Sequence, residues 1–279
     1  MKNRVLFSIF TFLTVVLCAQ SAKAWHNFAH GAIAYMAEQH LTPQAQEKCD
    51  YYLRHTLAHY ASWMDSWRGV AKFDSVNCSH GSMAQADGVN IDFSYGTPAG
   101  EVVGHLVNAL AELGDGKYKN LPDSVVRQRL INMVHYVPDM FCPAHVNFPE
   151  SVHPKQSAHK LFEKGKKLAY HRFWDRSLGR EGRVNWIYER LAAEVDVISK
   201  KQAAELQSGT LEDWGRDIVR LAQRSRELVP IGTDVAYMSD IQNADVRDLT
   251  YEAAVMGAYR LAYVLNTIFS DKNIPVSNK

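Results

Sequence analysis

The stretch Leu130-Ile-Asn-Met-Val-His135-Tyr-Val-Pro-Asp139-Met-Phe-Cys142 decides how this chain is read. It closes a segment near 124–142 with helical patterning. His135 and Asp139 stand four residues apart, so on a helix the imidazole and the carboxylate share a face. Pro138 between them removes a backbone donor and kinks the axis, which bends the pair away from ideal helical geometry. His171-Arg-Phe-Trp-Asp175 repeats the spacing, and His145 follows Asp139 after a turn that contains Pro143. A single pair of this kind reads as a surface contact. Two pairs with a histidine between them read as a metal site, because zinc takes both ligand types at about 2.0–2.2 Å.

Outward from this segment, helical periodicity dominates. Residues 28–40 place Phe28, Ile33, Ala34, Met36 and Ala37 at three- and four-residue steps. Thr42-Pro43 reads as an N-cap with proline at the first helical position. Further helices are predicted near 43–56, 101–114, 157–177, 183–206, 210–226 and 248–269. The segment 72–98, rich in Gly, Ser, Asn and Asp, reads as a long loop of the kind that is often functional. Two more irregular stretches, 143–156 and 228–247, carry Pro143, Pro149, Pro154, Pro230 and Gly232. No alternating strand pattern and no internal repeat is evident. The economical reading is a single all-α domain over 25–279, with a polar tail from about 271 that is expected to fray.

The first 24 residues read as an export signal. Lys2 and Arg4 precede the apolar run Leu6 to Cys18, and Ala22-Lys23-Ala24 forms an A-x-A cleavage site. The run is shorter than the roughly 20 residues a membrane span needs, so no stable membrane insertion is expected. Leu17 before Cys18 fits lipidation poorly. Cleavage would leave Trp25 as the first residue and place the protein in the periplasm or outside the cell.

Composition narrows the class further. With 279 residues, 47% hydrophobic and 22% charged, the chain has the material for a sizeable core and no sign of wholesale disorder. Of its 31 basic residues, Lys2, Arg4 and Lys23 fall in the leader, leaving 28 against 30 acidic ones. That balance, with no dense basic stripe, excludes tight coating of duplex DNA. Cys49, Cys78 and Cys142 remain after cleavage, an odd number that allows one disulfide in an oxidising compartment.

Four segments taken together carry a specific likeness. Trp25-His-Asn-Phe-Ala-His30, Ser62-Trp-Met-Asp65, the run His135…Asp139…His145, and His171…Asp175 resemble the zinc-dependent nuclease family of the S-one/P-one type. Gly257-Ala-Tyr-Arg-Leu-Ala-Tyr-Val-Leu-Asn266 is similar to that family's last helix, and the likeness runs from Trp25 to about Phe269. The resemblance implies an all-α fold of the zinc phospholipase C and nuclease P-one type, with three zinc ions. One zinc would be held by Asp65, His80, His135 and Asp139, and a second by His145, His171 and Asp175. The third would take the free amine and carbonyl oxygen of Trp25, with His30 and Asp139, which makes signal cleavage part of site assembly.

The implied activity is hydrolysis of single-stranded RNA or DNA and of 3′-nucleotides by a metal-activated hydroxide. Clustered zinc ions bring the pKa of bound water towards neutrality and neutralise charge on the phosphate. Asp65 and Asp139 would be the catalytic carboxylates. Arg68, three residues past Asp65, would contact the phosphate, beside the simpler reading as a solvated charge. The run His80-Gly-Ser-Met83 departs from the family, which has bulkier residues and then an aspartate; Asp87 or Asp92 is the candidate substitute.

Two other readings use the same residues. A zinc phospholipase C shares the scaffold and would make a phospholipid the substrate, but five-residue spacing from Trp25 to His30 and the closing Asp175 favour the nuclease. A non-catalytic zinc-binding protein would not need an open position on its metal. His26, His40, His55, His59, His105, His153 and His159 read as surface or partly buried residues, and Trp63, Trp67, Trp174, Trp186 and Trp214 as core.

Overall fold

A computed structural model describes residues 25–67, 79–94, 102–178 and 187–277. Residues 1–24, read above as an export signal, and Arg68, Cys78 and Trp186 lie outside the described residues. Within them the protein is mostly helical, as the periodicity predicts.

The early helices follow the sequence closely. Helix α1 (Asn27–Gln39) is followed by α2 (Pro43–Leu53), where Thr42 accepts from the amide of Ala45 and Pro43 occupies the first turn. Short helices α3 (Leu57–Tyr60) and α4 (Trp63–Trp67) come next. Helices α5 (Val102–Leu113) and α6 (Asp123–Phe141) pack on each other. The longest helix of the described chain, α11 (Asp240–Phe269), lies against both α1 and α6. These contacts bury Ile33, Met36, Val134, Val137, Phe141, Leu261 and Leu265 in one continuous core. A fully buried side chain of this size contributes about 1.5–3 kcal/mol, so the helices that carry the His and Asp residues are held rigidly.

The predicted helix over 157–177 is mostly something else. Strands β3 (Lys160–Glu163) and β4 (Lys166–Ala169) form an antiparallel hairpin there, leaving only α7 (Tyr170–Asp175) helical. Lys164 and Gly165 both have positive φ, 52° and 73°, which is the demand of a two-residue hairpin turn. The Asp234 carboxylate accepts from both their amides, at 3.0 and 2.7 Å, and so fixes that turn from a distant loop. The region 72–98 is also less irregular than expected. Within its described part, β1 (Ser82–Met83) pairs in parallel with β2 (Val146–Asn147).

Elsewhere the differences lie at boundaries. The stretch 183–206 contains α8 (Tyr188–Val195) and α9 (Lys200–Leu206), separated at Asp196, whose carboxylate is taken by His40 and Tyr259 at 2.7 and 2.8 Å. Helix α10 (Leu211–Leu228) starts at a capping box between Thr210 and Asp213. Helix α11 starts earlier than predicted because Ser239 caps it, accepting from Gln242 at 3.1 Å. The tail is docked rather than frayed. The first-turn amides of Leu211 and Glu212 donate to the carbonyls of Pro275 and Val276 at 3.1 and 2.9 Å, and Ile274 is buried. No described helix is long and apolar enough to cross a membrane.

Candidate metal centre

The predicted ligands converge from elements far apart in the chain. Helix α1 supplies His30, α4 supplies Asp65, and α6 supplies His135 and Asp139. His80 comes from the loop beside β1, His145 from the tight 3-10 turn Pro143–His145, and His171 and Asp175 from α7. All are buried except His171, whose side chain is 18% exposed, so the cluster opens to solvent at that end.

Asp139 sits between the groups. Its Oδ2 lies 3.0 Å from His80 Nδ1 and 3.1 Å from His135 Nε2. Its Oδ1 lies 3.2 Å from His30 Nε2 and 4.0 Å from His145 Nδ1. Asp65 Oδ1 stands 3.8 Å from both His80 Nδ1 and His135 Nε2. Despite these approaches, none of the four carboxylate oxygens of Asp65 and Asp139 accepts a hydrogen bond of acceptable geometry. Buried carboxylates are normally paired and hydrogen-bonded. The unpaired carboxylate oxygens converge with histidine nitrogens on common centres, an arrangement that fits a cation between them, and His135 Nε2 lies 3.1 Å from His80 Nδ1 in the same group.

The histidine tautomers agree with this. The ring of His135 donates from Nδ1 to the carbonyl of Ala61 at 2.6 Å, because a carbonyl only accepts. Nε2 is thereby left as the lone pair that faces Asp65, His80 and Asp139. The ring of His145 likewise donates from Nδ1 to the His80 carbonyl at 2.9 Å and turns Nε2 towards Asp175 and His171. Such outer hydrogen bonds orient metal-binding histidines and raise their basicity.

The charges of the cluster act strongly on one another. Burial alone would raise Asp139, but His135, His30 and His145 outweigh it and hold the carboxyl well below its usual range. Burial would lower His135, yet the nearby charge of Asp139, with that of Asp65, raises it to about 8. His30 goes the other way, pushed down by burial and by neighbouring His135.

Around His145 and Asp175 a second cluster forms. His145 Nε2 lies 3.8 Å from Asp175 Oδ1 and 2.8 Å from His171 Nε2, and His171 Nδ1 lies 2.7 Å from Asp175 Oδ2. The rings of His145 and His171 stack at 4.7 Å. Cys142, which the sequence reading treats only as a disulfide candidate, is here too. It is a free thiol, as is Cys49, and its Sγ is 3.7 Å from Asp175 Oδ1. The signal that could have found it is the Cys142-Pro-Ala-His145 spacing, a three-residue step typical of metal ligands.

Trp25 is fully buried, and its indole nitrogen donates to the carbonyl of Pro138 at 3.0 Å. The next amide, that of His26, donates to the carbonyl of Asp175 at 2.9 Å. The backbone at 25–26 therefore runs between the two His/Asp pairs, while the His26 side chain is exposed as expected. Of the remaining histidines, His159 departs from its expectation and is buried, donating from Nε2 to the Val229 carbonyl at 2.8 Å and accepting at Nδ1 from Arg226 at 3.5 Å. Trp174 and Trp214 are core, but Trp67 is 45% exposed. Asp87 and Asp92 accept from the nearby amides of Val89 and Ser94 and serve the loop itself.

Among the described residues, three groups bring one donor atom from each member within 4.8 Å of the others, as a metal ion would need: His30, His135 and Asp139; Asp65, His80 and His135; and Cys142, His145 and Asp175. A family model described as S1/P1 Nuclease matches residues 25–270. No curated protein matches the chain. The matched family consists of metal-dependent hydrolases of phosphodiester bonds. With the match spanning nearly all of the chain after residue 24, the protein belongs to the S1/P1 nuclease family.

Proposed function

We propose that this protein is a zinc-dependent nuclease and 3′-nucleotidase that hydrolyses single-stranded RNA or DNA, exported by its leader to the periplasm or beyond. The observation that carries the reading is Asp139, whose two oxygens face different histidines from different elements, His80 and His135 on one side and His30 on the other. A carboxylate so placed is suited to bridge two cations. The residues fit zinc by donor type, being imidazole and carboxylate with the imidazole tautomers already set.

Asp65, His80, His135 and Asp139 would hold one zinc, His145, His171 and Asp175 a second, and His30, Asp139 and the Trp25 backbone a third. When bound, zinc supplies Lewis acidity towards phosphate oxygens and acidifies water to near-neutral pKa. The protein's part is positional. Ala61 and the His80 carbonyl hold the rings of His135 and His145, and the core between α1, α6 and α11 keeps the carboxylates from relaxing apart. Arg68 is the proposed phosphate contact. Cleavage after Ala24 would free the Trp25 amine at the point where the backbone already lies beside Pro138 and Asp175.

The test is expression with the native leader, N-terminal sequencing, zinc analysis, and assays on single-stranded RNA and a choline phospholipid. RNA cleavage with about three zincs per chain supports the nuclease. Lipid cleavage alone would replace it with a phospholipase, and zinc without turnover would make the protein a binder.

A further inference from the structure

Cys142 belongs to the buried core and at the same time borders the His145/Asp175 cluster. It is the C-cap of α6, with φ −64° and ψ 120°, and Pro143 follows it directly. Its amide donates to Asp139 at 3.0 Å, and its own carbonyl accepts from His145 at 2.9 Å. This tight turn brings the side chains of Cys142 and His145 to the same side, facing Asp175. The sulfur is fully buried, and its polar neighbour is Asp175 Oδ1 at 3.7 Å.

The distances suit a shared cation. Sulfur at about 2.3 Å and oxygen or nitrogen at about 2.0 Å from a tetrahedral zinc are separated along the edges by roughly 3.3–3.5 Å. Sγ of Cys142 and Nε2 of His145 lie 3.7 and 3.8 Å from Asp175 Oδ1, and one donor atom from each of the three residues lies within 4.8 Å of the others. The two edges to Asp175 would contract by about 0.2 and 0.5 Å around an ion, and His171 Nε2, 2.8 Å from His145 Nε2, would part from it by about 0.5 Å.

We propose that Cys142 is a thiolate ligand of the second metal, beside His145, His171 and Asp175. This rests on the reading that the cluster holds a metal. Binding breaks the S–H bond, passes the proton to solvent, and forms a sulfur–metal bond, with no change in oxidation state. The consequence is chemical. A Cys-His-His-Asp set closes the coordination sphere, as structural zinc sites do, and leaves open positions to the metals at Asp139. A thiolate also selects zinc over magnesium or manganese.

The experiment is cobalt substitution of the full mature protein, followed by absorption spectroscopy. Wild type should show a thiolate-to-cobalt charge-transfer band in the near ultraviolet. Cys142→Ser should lose that band, keep visible ligand-field bands from the remaining cobalt, and release one metal per chain at least about tenfold faster. Cys49 and Cys78 stay in both proteins as internal controls. Ligand-field bands without charge transfer in wild type would overturn the proposal and leave the metal reading standing. A band that survives in Cys142→Ser would also overturn it, and failure to bind any cobalt would overturn both. Should the variant not fold, X-ray absorption at the zinc edge of wild type decides, since a sulfur shell near about 2.3 Å is required.

Discussion

Nε2 of His30 lies 3.2 Å from Oδ1 of Asp139, with neither side chain exposed. One residue sits near the start of the described chain and the other in the last turn of α6, next to Pro138. The packing of α1 and α6 against each other and against α11 brings them together.

Asp139→Asn removes the charge that faces four histidines, His30, His80, His135 and His145. It is expected to lower phosphodiesterase activity by about two to three orders of magnitude, the usual loss when one charge-stabilising group is removed. Metal content should fall as well, by elemental analysis of the purified variant. Full activity with unchanged metal would mean that Asp139 is not a ligand.

The pH response should differ in sign between metal-free and metal-loaded protein. His135 is raised to about 8 in the metal-free fold, above an unfolded value of about 6.5. Its stabilisation is therefore complete below the unfolded value and is lost as pH rises through about 8. Ligation needs the neutral ring, so zinc affinity rises over the same window. Chelator-treated protein should melt lower above pH 8 than near pH 6, by calorimetry, while the increment from added zinc grows. A metal-free melting temperature that climbs through this window would contradict the assignment.

Trp25→Phe tests the link between the N-terminal segment and α6. Cys142 gives its amide to Asp139, so the Pro138 carbonyl is left for the indole N–H. Removing that donor while keeping a ring should cost about 1–3 kcal/mol. Denaturant unfolding measures this, and an unchanged midpoint would show that water replaces the bond without loss.

A fusion that blocks cleavage after Ala24 should bind one zinc fewer than the processed chain. Its Trp25 nitrogen remains an amide, which is a poor ligand. Three zincs on the blocked protein would remove the N-terminal amine from the site.

Gly215→Ala probes the support of the loop that carries His80. A Cβ there would lie 2.0 Å from Asn90 Oδ1 and 3.3 Å from the Ile91 amide. Asn90 in turn donates to the Glu212 carbonyl at 3.2 Å, pinning the loop to α10. Overpacking of this kind costs about 1–3 kcal/mol, visible as a lower melting temperature. An unchanged value would show that Asn90 moves aside freely.

Much of this was written in local pattern. Three-and-four spacing placed α1, α2, α5, α6 and α10, because a helix's buried face depends on residues within two turns of one another. The order of Trp25, His30, Asp65, His135, Asp139, His145, His171 and Asp175 pointed to a metal centre, since four-residue spacing is a statement about one helix face. Other features depended on distant partners. The hairpin over 160–169 replaced a predicted helix because Asp234 fixes its turn, and the tail is ordered because α10 needs acceptors for its first amides. The sequence could name the donors, but which oxygen of Asp139 faces which histidine, and that Cys142 joins His145 and Asp175, was decided by helix packing. Those distances follow from how α1, α6 and α7 are placed against a shared core, which no short-range pattern encodes.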